Sequence, residues 1–350
     1  MSSHDFEEMV EVLKDVVKVN RAVTRPYLEK KTGLKVVSKG RDFGEIVTEA
    51  DIGISDALLN GHGVKGITGF RQRYLGSFSE EQDYPLERQS ALILLQLDPM
   101  DGTGDFKKTY QTENVMPPTT LVSKLVRNNV QNSFRPVAGI IFDIVNEVAL
   151  VSDGSEIGLF AVSTDGIPHS ITFRRLEESI TWSAMWHDGD TIFINQRTAY
   201  PQNNFDREFI NFLQTYWPVH RIVVKQVPVG GAGIIALQLF RNVIQPVKFS
   251  DIPSFANLRT INICFNAQPD WKTWDTNPTD VIADALGLPP RTTIYGDPIT
   301  PNAAAPSLKE MHHTNGYVLS TDVRLQAMLC ERARAFQEKY PNKPLTEKNY

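Results

Sequence analysis

The stretch Ala91-Leu92-Ile93-Leu94-Leu95-Gln96-Leu97, followed by Asp98-Pro99-Met100-Asp101-Gly102-Thr103, decides how this chain is read. Its first half is an apolar run of strand length, as expected for a strand covered on both faces. The two acids that follow then sit at the carboxyl end of a buried strand, where open α/β sheets bind ligands. Proline and glycine turn the chain there, so carboxylates three residues apart can converge on one point. Converging carboxylates repel one another unless a cation neutralises them, and an all-oxygen site suits Mg²⁺. An ordinary polar turn is the alternative, because Asp, Pro and Gly all form turns.

Working outward, three further acidic pieces stand in line with this one. Thr48-Glu49-Ala50-Asp51 has the spacing of a helix capping box with Asp in the place of Glu. Ser79-Glu80-Glu81-Gln82-Asp83 reads by itself as an exposed charged loop. Trp274-Asp275 stands just before a helical run, where a carboxylate ordinarily caps the helix.

The rest of the chain supplies the frame. Phe6, Met9, Val10, Leu13, Val16 and Val17 recur at helical spacing and predict an amphipathic helix to about Glu29. Ile52, Ile54, Ala57 and Leu58 predict a second helix. Val137 to Val145 and Glu147 to Val151 read as a hairpin turning at Val145-Asn146. Downstream, Asn203 to Tyr216, Ala232 to Phe240, Asp280 to Leu286 and Asp322 to Glu338 read as helices, with a strand at Arg221 to Val227. Mixed rather than strictly alternating elements point to a layered α/β or α+β architecture. A change of pattern near residue 190 divides the chain into subdomains 1–190 and 191–350, with most of the acids in the first.

The chain has 350 residues, of which 41% are hydrophobic and 22% charged, which excludes a disordered, collagenous or coiled-coil chain. Lys+Arg 36 against Asp+Glu 41 leaves −5, so nothing in the charge points to a nucleic-acid polymer or an anionic membrane. Two cysteines, Cys264 and Cys330, read as free thiols of a cytoplasmic protein. No secretory leader precedes the first helix, and no apolar stretch reaches the roughly 20 residues of a membrane span. Two other phosphoryl-transfer motifs fail on spacing. Pro99 and Met100 separate the acids where a D-x-D-x-T motif allows one residue, and Gly230-Gly231-Ala232-Gly233 lacks the lysine of a P-loop.

Taken in order, V-T-E-A-D at 47–51, S-E-E at 79–81, D-P-M-D-G-T at 98–103 and W-D at 274–275 resemble the inositol monophosphatase superfamily. That superfamily includes the 3′(2′),5′-bisphosphate nucleotidases and is related to fructose-1,6-bisphosphatase. V-A-G-I-I-F-D at 137–143 and the segment from Asn315 to Ser320 add softer matches, and the resemblance covers about residues 5–335. It implies an α+β fold of layered αβαβα type and a Mg²⁺-dependent phosphoric monoester hydrolase, commonly a homodimer and Li⁺-sensitive, with two or three ions per site.

By the same resemblance, Glu81, Asp98 and the carbonyl of Met100 would hold the first ion. Asp98, Asp101 and Asp275 would hold the second, and a third would lie near Glu80 and Glu81. Thr103 would handle the proton of an attacking water and Asp51 would orient it, with Glu81 also counted among the catalytic groups. The N–H groups of Gly102 and Thr103 would cradle a phosphate. Gly230, Gly231 and Ala232 stand where the family begins a substrate-binding helix, although its usual serine and lysine are absent. Lys272 is either a contact for a second phosphate or a solvated lysine, and Trp271 either stacks on a base or packs. The stretch from Trp274 to Gly287, with Thr292 to Pro298, looks closest to bisphosphate nucleotidases and inositol polyphosphate 1-phosphatases. A bisphosphorylated nucleotide is therefore the expected substrate. Inositol or sugar phosphates are the alternative, and a catalytically retired metabolite-binding relative is the alternative of another class.

Overall fold

A computed structural model describes residues 4–30, 35–38, 46–82, 87, 90–103, 117–128, 133–176, 191–197, 211–212, 223–226, 231–248, 263–266, 272–299 and 315–341. In chain order its elements begin with helix α1 (His4–Lys30), strands β1 (Val36–Ser38) and β2 (Ile46–Thr48), helices α2 (Glu49–Asn60) and α3 (Phe70–Arg73), and strand β3 (Phe78–Ser79). Strands β4 (Ile93–Asp101), β5 (Thr119–Asn128), β6 (Ser133–Asp143), β7 (Val148–Ser152), β8 (Ile157–Val162), β9 (Pro168–Ile171) and β10 (Phe173–Arg175) follow. The remainder is β11 (Thr191–Arg197), β12 (Val223–Gln226), α4 (Ala232–Phe240), β13 (Ile244–Pro246), β14 (Ile263–Asn266), α5 (Thr273–Ala285), β15 (Tyr317–Ser320) and α6 (Val323–Lys339).

Strand alternation creates the layers. Leu121, Ile141, Leu150 and Leu159 form one cross-strand row, and Val122, Ile140 and Val151, each one residue along, point to the opposite face. Both rows are buried, so helices must cover both sides of the sheet. On one side lie α1 and α2, through Met9, Leu13, Val16, Val17, Ile54 and Leu58. On the other lie α4 and α5, through Ile234, Leu237, Ile282 and Ala283. The sheet has seven strands in the order β3-β4-β5-β6-β7-β8-β9, with β3 and β4 parallel and every other pair antiparallel.

A second, four-stranded sheet has the order β12-β11-β14-β15, with β15 antiparallel to β14. It contributes Cys264, Tyr317 and Leu319 to the core that α4 and α5 share with the first sheet. Helix α6 packs on β15. The layers therefore run helix, sheet, helix, sheet, helix, which is the α+β layered sandwich expected from the sequence. Among the described residues no helix is long and apolar enough to cross a membrane.

Two local expectations shift. The strand predicted for 91–97 continues to Asp101 and starts later, with Leu92 65% exposed, because β5 keeps pairing with the acidic turn. The helix predicted from Asp280 begins at Thr273, so Trp274 and Asp275 lie inside its first turn. Pro278 also lies within this helix, and its missing N–H leaves the Trp274 carbonyl without the usual intrahelical donor. Most of the helix predicted at Asn203 to Tyr216 lies outside the described residues.

Gly139 of β6 is where α5 crosses the sheet. A Cβ there would lie 2.7 Å from the Cα of Pro278, so the approach of helix to strand requires glycine.

Candidate active site

The two acids of β4 reach one side of the sheet through a bulge. Asp98 pairs with Leu121 and Asp101 with Thr119, so β4 spends one residue more than β5 between the two pairs. Without that extra residue, strand alternation would point residues three apart to opposite faces. Local bonds hold the bulge. The Met100 N–H donates to Asp98 Oδ1 at 3.1 Å, and the Thr120 hydroxyl lies 2.9 Å from the Pro99 carbonyl and 3.1 Å from Asn20 Oδ1 of α1. Gly102 then leaves the strand at φ 89°, a left-handed conformation that favours glycine.

Thr48 caps α2 as its spacing predicted, closing a capping box with Asp51. The Thr48 N–H and hydroxyl both donate to Asp51 Oδ2, the N–H at 2.8 Å. This leaves Asp51 Oδ1 free to accept from the Thr103 hydroxyl at 2.7 Å, across 52 residues of sequence. The Met100 carbonyl lies 2.8 Å from the same hydroxyl. A hydroxyl has one proton, so with two acceptors facing it Thr103 presents lone pairs to the site.

Asp275 arrives on the first turn of α5, where its Oδ2 accepts the Lys272 N–H at 3.0 Å. Its carboxylate, with those of Asp98 and Asp101, forms a group whose ligand oxygens all lie within 4.8 Å of one another. Asp101 is held from two sides. The Gly233 N–H donates to its Oδ2 at 2.6 Å and the Thr119 hydroxyl at 3.1 Å. Gly231, at the N-cap of α4, has no capping side chain of its own, and Asp101 takes that role from the neighbouring strand.

The glutamate pair is brought in by the turn after β3. The Glu80 N–H donates to the Leu97 carbonyl at 3.0 Å, while the Glu81 and Gln82 N–H groups both donate to Ser79 Oγ at 3.1 Å. The charge of Glu80 acts on Asp98, Asp101 and Asp275 alike. Lys272 sits opposite, its Nζ 3.8 Å from Glu80 Oε1 and 5.0 Å from the centre of the Trp274 ring.

Crowding buried and half-buried acids raises their proton affinity. Burial is the largest cause for each of the three aspartates. Asp98 is pushed well above the usual carboxylate range, with the charges of Glu80, Asp101, Asp275 and Asp51 adding to its burial. Asp275 rises to about 8, with Asp101 and Glu80 adding and the Lys272 N–H and ammonium opposing. Asp101 rises only to about 6, because the N–H groups of Gly233 and Ala232 and the Thr119 hydroxyl stabilise its charge. Burial also raises Asp51, against the bonds from Thr48 and Thr103.

Such a group of oxygens fits a hard divalent cation. Opposite ligands of an ion with ~2.1 Å bonds stand about 4.2 Å apart, so these carboxylates need only small movements to close on one.

Of the residues that the sequence named, the fold brings Asp51, Glu80, Asp98, Met100, Asp101, Gly102, Thr103, Gly231, Ala232, Lys272 and Asp275 together around one end of β4, with Glu81 in the turn after β3. Sequence reasoning did not name Thr119, Gly233 or Gln96. The only signal for these was a polar or very small residue within an otherwise apolar element. Gly230, Trp271 and 104–116 lie outside the described residues.

No protein-family model matches the chain, and no curated protein does. Solved structures do match in fold. A hypothetical protein from Pyrococcus horikoshii with similarities for inositol-1 monophosphatase aligns at TM-score 0.56 and 10% identity, covering 93% of this chain and 98% of that one. A dual specific IMPase/NADP phosphatase bound with D-inositol-1-phosphate aligns at TM-score 0.57 and 13% identity, covering 94% and 96%. The 2′AMP-bound SaIMPase-II aligns at TM-score 0.51 and 13% identity, covering 97% and 99%. The chain has the inositol monophosphatase-like fold.

Proposed function

We propose that the chain is a divalent-metal-dependent phosphatase of the inositol monophosphatase superfamily, hydrolysing a small phosphate monoester by direct attack of water. The observation that carries this reading is the meeting of Asp98, Asp101 and Asp275 within 4.8 Å, although Asp275 lies 174 residues beyond Asp101 (275 − 101). A cluster so costly in mutual repulsion has a chemical reason when cations bind there.

Asp98, Asp101 and Asp275, with the Met100 carbonyl and the glutamates Glu80 and Glu81, would hold the ions, Mg²⁺ in the first instance. Bound divalent ions supply charge neutralisation for the phosphate and acidify a water molecule. The protein's own groups move the proton. Thr103 Oγ1 accepts a proton from the attacking water while its own proton passes to Asp51 Oδ1, along the 2.7 Å bond already present. Asp51 suits this role because burial raises its proton affinity. The Gly102 and Thr103 N–H groups, at the start of the turn, would receive the phosphate oxygens.

For the substrate, the segments 274–287 and 292–298 favour a bisphosphorylated nucleotide. Matching solved structures include complexes of an IMPase/NADP phosphatase with NADP and of SaIMPase-II with 2′AMP. Lys272, held between Glu80 and Trp274 beside the cluster, would take a second phosphate.

The test is phosphate release from adenosine 3′,5′-bisphosphate, 2′-AMP, inositol 1-phosphate and a hexose phosphate, with Mg²⁺, with chelator, and with Li⁺ added. Release that requires Mg²⁺ and is fastest on the bisphosphate is expected. No release from any of the four would favour a non-catalytic binder of phosphorylated metabolites.

A further inference from the structure

Asp98 and Asp275 belong to elements that meet only through tertiary packing, so something must fix helix α5 against strand β4. The polar residue that interrupts the apolar run, Gln96, is 1% exposed and lies two residues before Asp98. Its Nε2 donates to Thr273 Oγ1 at 3.0 Å, and its Oε1 accepts from Asn277 Nδ2 at 2.7 Å. Thr273 and Asn277 are themselves buried, stand one turn apart on α5, and bracket Asp275 by two residues on either side.

We infer that Gln96 is a positioning residue for the metal site, a two-point clamp that sets the height and rotation of α5 so that Asp275 meets Asp98 and Asp101. The inference rests on the proposed function, because it assigns the clamp a role in ion binding.

Geometry separates this from simple core filling. A single bond would leave the helix free to pivot, whereas two bonds to one planar amide resist both sliding and turning. The bonds also run in opposite senses, donor to Thr273 and acceptor from Asn277, so displacing α5 by one residue leaves both unmade. Pro278 adjoins Asn277 and is pressed on Gly139, so the same segment of α5 is fixed to β6 as well as β4. Without the helix-interior bond that Pro278 cannot make, the first turn of α5 depends on such external contacts for its orientation.

The experiment compares the full chain with T273V, Q96L and the triple variant Q96L/T273V/N277L. Mn²⁺ binding is read by calorimetry, and melting temperature is read without metal. T273V removes one of the two bonds and leaves Gln96 Nε2 without its acceptor, so it is expected to weaken Mn²⁺ binding measurably and to lower the melting temperature less than Q96L does. Q96L leaves two buried partners unmade and is expected to lose both stability and affinity. The triple variant replaces every polar member by an apolar group of similar size, so its melting temperature recovers. Its Mn²⁺ affinity stays roughly tenfold to a hundredfold below that of the unaltered chain, the range for groups that orient metal ligands.

If Mn²⁺ affinity is unchanged in T273V and in the triple variant, the clamp is structural only and the inference is overturned. The same holds if affinity recovers together with melting temperature. If the unaltered chain binds no Mn²⁺, the proposed function fails, and the inference with it.

Discussion

At the scale of single residues, Asp98 bears the most crowding. It is buried and faces the charges of Glu80, Asp101, Asp275 and Asp51, all of which raise its proton affinity. Replacing it by Asn keeps the shape and removes one of the repelling charges. D98N is therefore expected to melt higher than the unaltered chain in the absence of metal. It should also lose roughly a hundredfold to a thousandfold in Mg²⁺-dependent phosphate release, the scale of losing one fixed electrostatic contact at a reaction centre. Melting curves without metal and phosphate assays with it check both halves. A variant that melts lower yet turns over normally would show that Asp98 is a structural acid.

At the scale of elements, the junction of α4 with β4 is the sensitive point. Gly231 has φ −62°, which any residue adopts, so a side chain there meets no backbone strain. A Cβ would nevertheless fall inside van der Waals contact of the Asp101 carboxyl group. G231A is therefore expected to push Asp101 away from Asp98 and Asp275. The cost should be about 1–3 kcal/mol of stability, as for overpacking elsewhere. Activity should fall by about a hundredfold, as for a displacement of order 1 Å near the chemistry. Denaturant melts and steady-state assays measure these, and unchanged activity would mean that Asp101 has room to keep its place.

Elements were also where sequence reading worked best and where it stopped. The Thr48–Asp51 capping box was legible because all its atoms come from four consecutive residues. Helix α1 was legible from its apolar stripe, and it ends at Lys30, one residue from the expected position. The bulge between Asp98 and Asp101 was not legible, because it exists only in the pairing of β4 with β5. The early start of α5 was hidden by Pro278, which reads as a helix breaker until its packing on Gly139 is seen.

At the scale of the whole molecule, pH and metal act on the same cluster. In the metal-free chain Asp101 and Asp275 rise to about 6 and about 8, above the ordinary value near 3.9 for an unfolded Asp. Folding thus favours their protonated forms. Their contribution to stability is complete below about pH 4 and is lost as pH rises through 6 and then 8. The metal-free melting temperature is expected to fall between pH 5 and pH 8. Ion binding requires the deprotonated carboxylates, so saturating Mg²⁺ should oppose that fall and add about 2.7 kcal/mol when its concentration is a hundred times the dissociation constant. Calorimetric scans across this pH range, with and without Mg²⁺, decide the matter. A melting temperature indifferent to both would remove the electrostatic basis of the site.

The amino-acid sequence by itself determined most of the local elements, the burial of the central strand on both faces, and the chemical identity of the acids. These follow from spacing and side-chain type over a few consecutive residues. Only the tertiary structure decided which carboxylates share a space, that the charge of Glu80 acts on all three aspartates, and that Thr119, Gly233 and Gln96 stand behind them. Repulsion, burial and hydrogen bonding depend on distances between atoms, and those distances, between residues up to 181 positions apart, exist only once the layers have packed.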